Sequence, residues 1–239
     1  MVNCQRFNIG DIAKGTNSLI VGRRLGGKST VMVSIIQSRP DAVVYVFASK
    51  YVASSYCKYL PKSCIYDHFS SKILEQILAR QEKDQSQEVI VAFDDVAVHQ
   101  NLWTNDCVKH LIRYGSSLNI TSVFSVQYLG QLDDVFKRNI DFVFLFRDGI
   151  LQNQKMFYDT FGGMFPSFET FKVVHDECIA EPYRCLVIDF LNPKKDAKDA
   201  VFWYKAPPLS LVKETNSKAK HINDCPWYSY MFEWFSKSK

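Results

Sequence analysis

The chain has 239 residues, 47% of them hydrophobic and 23% charged, which is enough apolar material for one sizeable core and too little polar bias for widespread disorder. Its net charge of +4 is compatible with a polyanionic partner without demanding one. The seven cysteines (Cys4, Cys57, Cys64, Cys107, Cys178, Cys185, Cys225) include no C-x-x-C pair, so they read as reduced core thiols and not as zinc ligands or disulfides. No apolar run reaches the length of a membrane span and the N-terminus lacks an apolar signal core, from which a soluble, intracellular chain is expected.

In chain order, the first predicted strand is "NSLIV" (17–21), followed at once by "GRRLGGKST" and then by "KSTVMVSIIQS", whose apolar spacing is helical. Gly22, Gly27, Lys28 and Ser29 complete the G-x-x-x-x-G-K-[ST] phosphate-loop pattern, and its strand-to-helix setting is the one that chemistry needs. Glycines let consecutive amides turn inward at a helix N-terminus, where they can bond phosphate oxygens. Gly22, Arg24, Leu25, Gly26, Gly27, Lys28, Ser29 and Thr30 are therefore the candidate nucleotide-binding residues. Lys28 reaches the β and γ phosphates, Thr30 lies near the α and β phosphates, and the Ser29 hydroxyl is a ligand for Mg²⁺.

Strands and helices then alternate: "AVVYVFA" (42–48), a helix over about 70–83, "EVIVAFDD" (88–95), a helix near 103–114, "TSVFSVQ" (121–127), a short helix with "LDDVFKRN", and "DFVFLFR" (141–147). That alternation predicts an α/β fold with a mainly parallel central sheet flanked by helices. Two more helical stretches follow around "LQNQKMFYDTFG" and "SFETFKVVHDECI". The runs "RCLVIDFL" and "AVFWYKA" then suggest a C-terminal antiparallel β-hairpin across the polar turn "NPKKDAKD". The boundary falls after residue 206, leaving an ATPase domain over 1–206 and a tail over 207–239 that ends in the aromatic cluster "CPWYSYMFEWF".

The strand "VIVAF" ends in Asp94-Asp95, where a phosphate-loop NTPase needs carboxylates: Asp94 is expected to hold the metal and Asp95 to orient or deprotonate the attacking water. Gln127, at the end of another apolar strand, can bridge the γ-phosphate and that water. Arg113 and Arg138 are the candidates to neutralise transition-state charge in a neighbouring subunit, with Arg147, Arg23 and Arg24 as further arginines in view.

The ordered set "GRRLGGKST", "VAFDDV", "YGSSLNITSVFSVQYLGQLDDVFKRNIDFVFLF" and "CLVIDFLN…VFWYKA" resembles the DNA-packaging ATPases of nucleocytoplasmic large DNA viruses and virophages, in the FtsK–HerA superfamily, over residues 17–206. The resemblance implies a RecA-like (ASCE) P-loop core, ATP and Mg²⁺ as cofactors, and a homo-oligomeric ring, pentamer or hexamer, that drives double-stranded DNA into a capsid. It further implies a capsid or procapsid vertex protein as partner, and a location in the virion or in a viral factory of the host cytoplasm. Two positions depart from the family pattern. Arg23, Arg24 and Leu25 occupy the variable stretch of a loop that usually reads like G-x-S-G-S-G-K-T, and Gly115-Ser116-Ser117 stand where Gly-Arg-His is usual before Leu118-Asn119, which again directs attention to Arg113 and Arg138. The other readings are a phosphate-loop enzyme such as a small-molecule kinase, without DNA translocation, and a nucleotide-binding scaffold. The acid pair with Gln127 suits water as acceptor better than a kinase acceptor, and a scaffold would more often have lost Lys28 or an acid.

Overall fold

The computed structural model describes residues 4–96, 102–191 and 199–208. In chain order these form β1 (Gln5–Arg6), β2 (Asn17–Val21), α1 (Lys28–Gln37), β3 (Val43–Ala48), α2 (Lys50–Tyr56), β4 (Ile65–Tyr66), α3 (Ser71–Lys83), β5 (Val89–Asp94), α4 (Asp106–Tyr114), β6 (Ile120–Val126), α5 (Asp134–Arg138), β7 (Phe142–Phe146), α6 (Leu151–Phe161), α7 (Phe168–Cys178), β8 (Arg184–Asp189) and β9 (Val201–Lys205). Side-chain caps fix several helix starts: Ser70 accepts from the Ile73 amide before α3, Asn105 from those of Cys107 and Val108 before α4, and Asp133 from that of Phe136 before α5.

The described strands form one sheet in the order β1-β9-β8-β7-β2-β6-β5-β3-β4. β7, β2, β6, β5, β3 and β4 run parallel, so their C-terminal ends open on one edge. β8 and β9 are the expected hairpin and join antiparallel to β7. Every residue of β2, β3, β5, β6 and β7 is buried, as continuous apolar strands covered on both faces must be. Alternate residues serve opposite layers. Leu19 and Val21 belong to the core layer that includes Leu74 of α3, Leu111 of α4, Phe161 of α6 and Phe171 of α7, while Ile20 belongs to the layer that includes Val31, Met32 and Ile35 of α1. This is the expected RecA-like α/β architecture.

Some elements differ from the sequence reading. α2, β1 and β4 were not anticipated, because a seven-residue helix of sequence KYVASSY and two-residue strands carry no usable periodicity. The helix expected near 103–114 begins at Asp106, behind a 3-10 turn over Leu102–Thr104. Cys4, Cys64, Cys178 and Cys185 are buried free thiols as expected, but Cys57 is exposed and Cys107 only partly buried. Cys225, most of the "NPKKDAKD" turn and the tail from 209 lie outside the described residues. Among the described residues no helix is long and apolar enough to cross a membrane.

Candidate active site

β2 sits at the middle of the nine-stranded sheet, between β6 and β7, and the loop leaving its C-terminal end enters α1. A crevice at that edge is where open α/β sheets bind ligands. Gly22 is required by proximity: a Cβ there would stand 2.7 Å from Phe146 Cβ at the end of β7. Gly27 is required by conformation, since it caps α1 at φ +108° in the left-handed region. Between them Leu25 takes φ +61° and is 95% exposed.

The loop delivers Lys28 and Ser29 to the first turn of α1. Lys28 is 8% exposed, and its ammonium donates to the Arg23 carbonyl at 3.1 Å. Burial pulls its pKa down; Asp94 and Asp95 oppose that shift, and Arg24 adds to it. Ser29 Oγ donates to Asp94 Oδ2 at 2.7 Å, which joins the helix start to the end of β5. Asp94 is buried and accepts two more hydroxyls, from Tyr56 at 2.7 Å and from Ser125 on β6. Asp95 follows at φ +56°, and its Oδ1 accepts from Gln127 Nε2 at 2.7 Å. Asp94 is thus locked from three directions, while Asp95 is held by one amide at the mouth of the crevice.

These groups converge on one cavity of about 560 Å³. Arg24, Leu25, Gly27, Lys28, Ser29, Thr30, Asp94, Asp95 and Gln127 all line it. It brings together amide donors, a cation, a hydroxyl and two carboxylates. That arrangement can bind a polyphosphate, hold a hard divalent cation between Ser29 and Asp94, and position water at Asp95.

Arg113 and Arg138 are not part of this cavity. Asn17, which begins β2, donates through Nδ2 to the carbonyls of Ile112 and Asn139 at 2.9 and 2.8 Å, so both arginines sit beside the opposite edge of the sheet. The five-residue β2 separates the two edges by about 13 Å. Both arginines are exposed. Arg147 lies at the loop edge, but its Nη2 donates to the Ile179 carbonyl at 2.8 Å.

Five participants escaped the sequence reading: Tyr56 and Ser125, which fix Asp94, and Tyr51, Val52 and Tyr183, which line the cavity. A serine inside the apolar run "SVFSV" is a signal that could have exposed Ser125. Nothing local marks the others.

No protein-family model matches the chain. It is 29% identical over 203 residues to uncharacterized protein 015R of Frog virus 3 (isolate Goorha), covering 81% of this chain and 62% of that protein. It is 26% identical over 215 residues to uncharacterized protein 088R of Invertebrate iridescent virus 3, covering 87% of this chain and 82% of that protein. Among solved structures it is similar, at TM-score 0.56 and 12% identity, to the DNA-packaging ATPase from Sulfolobus Turreted Icosahedral Virus, with 82% of this chain and 99% of that chain covered. The pCW3 conjugation coupling protein TcpA with ATPgS gives TM-score 0.57 at 12% identity, with 81% of this chain and 60% of that chain covered. At such identities these likenesses establish a shared fold.

Proposed function

We propose that the chain is an ATP-hydrolysing motor that moves double-stranded DNA, acting in the packaging of a viral genome into a capsid. The observation that carries the hydrolytic half is the pairing of Ser29 with Asp94 and of Asp95 with Gln127 on the cavity that Lys28 also lines. The fold shared with a DNA-packaging ATPase and a conjugation coupling protein, and the relatives in large DNA viruses, support the DNA half.

In this reading the loop amides and Lys28 bind the β and γ phosphates of ATP. The donor set fits Mg²⁺, because the Ser29 hydroxyl and the Asp94 carboxylate are hard oxygen ligands facing the same cavity, with Tyr56 and Ser125 fixing the carboxylate from behind. Bound Mg²⁺ would supply charge neutralisation at the phosphate oxygens. Asp95 orients the attacking water and takes its proton. Gln127 holds the Asp95 carboxylate in place, and its amide can turn to the γ-phosphate, linking the state of the nucleotide to the end of β6.

Arg113 or Arg138 completes the site of an adjacent subunit in a homo-oligomeric ring, pentamer or hexamer. Their place on the edge opposite the chain's own phosphate loop supports a role in trans. The chain works as an ATPase domain over 1–206 followed by a tail from 207, with a capsid or procapsid vertex protein as partner, in the virion or the viral factory. The test is whether duplex DNA accelerates ATP hydrolysis by the purified protein.

A further inference from the structure

Tyr183 occupies a place that a large side chain rarely fills. Glu181-Pro182-Tyr183-Arg184 is a tight turn between α7 and β8, closed by the Arg184 amide donating to the Glu181 carbonyl at 3.3 Å. Pro182 fixes a negative φ at the second position and Tyr183 has φ +64° at the third, the signature of a type II turn. Glycine or asparagine normally takes that third position, because a bulky residue there is strained. The tyrosine is nevertheless present and 61% exposed, so burial of its ring in the core does not offset the strain.

The turn is anchored from several sides. The Glu181 carboxylate accepts from Arg184 and from Lys205, the latter at 3.1 Å. The Arg184 guanidinium lies 3.9 Å over the Trp203 ring. Arg147 donates to the Ile179 carbonyl just upstream. Strained residues persist where their surroundings over-determine them, and they concentrate at ligand clamps.

The side chain so held lines the phosphate-loop cavity, and its Cδ1 stands 3.6 Å from where a Cβ on Gly27 would lie. Leu25, Tyr51 and Val52 also line the cavity. A flat aromatic face beside a phosphate loop suits a nucleobase. Stacking of this kind accepts any base, since each has a π face.

We propose that Tyr183 is the platform on which the base of the bound nucleotide stacks, recognising its face and not its hydrogen-bonding edge. The proposal rests on the phosphate-loop reading of the same cavity.

Binding of ATP, GTP and inorganic tripolyphosphate to the purified chain, with Mg²⁺ present, tests it. Tyr183→Gly removes the ring and relieves the positive φ, so its thermal midpoint should hold or rise while its affinity for ATP falls by about tenfold or more. Its affinity for tripolyphosphate should not change. Tyr183→Phe should keep ATP affinity within about threefold, and the unaltered chain should bind GTP within about threefold of ATP. Unchanged ATP affinity in Tyr183→Gly would overturn the proposal, as would a parallel loss of tripolyphosphate, which would make Tyr183 a support of the loop. GTP binding weaker than ATP by about a hundredfold would overturn recognition by the face alone. Failure of the underlying site reading looks different: Lys28→Ala would then leave both ATP and tripolyphosphate affinity intact.

Discussion

Asp94 and Asp95 are adjacent in the chain but held very differently, and their substitutions should separate accordingly. Asp94→Asn replaces a carboxylate that accepts from Ser29, Tyr56 and Ser125. The Mg²⁺ concentration needed for half-maximal turnover should rise by about tenfold or more. Asp95→Asn keeps the shape and the Gln127 contact but removes the base. ATP affinity should stay within a few fold while kcat falls by roughly 10² to 10⁴. Titrations of turnover against Mg²⁺ and against ATP distinguish the two, and equal, mild effects on both would reduce the pair to an ordinary strand-ending turn. The loop and the acid pair were legible because their pattern is local and each sits at a strand end. Tyr56 and Ser125 were not, since they reach Asp94 from 38 and 31 residues away through the pairing of β3, β5 and β6 and the packing of α2. Tyr183 was hidden for a different reason: Pro-Tyr-Arg carries no hint that the tyrosine will accept a glycine's backbone conformation.

At the scale of elements, α7 carries an acid-sensitive group. His175 is buried and stacked on Phe171 at 5.6 Å, and burial lowers its pKa from 6.5 to about 4, with Asp176 and the carbonyls of Leu145 and Phe146 partly opposing that shift. Between those two values the unfolded chain binds a proton that the folded chain refuses. The contribution to stability is complete above about pH 6.5 and is lost progressively as the pH falls toward 4, reaching about 3 kcal/mol. Thermal midpoints measured from pH 7 to pH 5 should fall for the natural chain and fall less for His175→Phe, which keeps the ring stack. The strands of the parallel core were readable because burial on both faces makes them continuous apolar runs. The hairpin of β8 and β9 was readable from two β-rich runs around a polar turn. The order of strands was not, since register between distant segments is decided by packing of the two faces and leaves no local trace.

For the whole molecule, the ring is the claim that reaches furthest beyond one subunit. Replacing the arginine that acts in trans, Arg138 or Arg113, by Ala should cut turnover by on the order of a thousandfold with little change in nucleotide affinity. Mixing that variant with Asp95→Asn should restore part of the activity, because some interfaces then pair an intact acid with an intact arginine; no recovery from any mixture would exclude both arginines. The central claim, a DNA-driven ATPase, is tested most directly by the rate of ATP hydrolysis per subunit, measured across protein concentrations with and without duplex DNA. The account predicts slow hydrolysis by dilute subunits, a rise with concentration as the ring assembles, and a further rise with duplex DNA that weakens as salt increases. Full activity that depends neither on protein concentration nor on duplex DNA would contradict it and leave a plain phosphate-loop hydrolase.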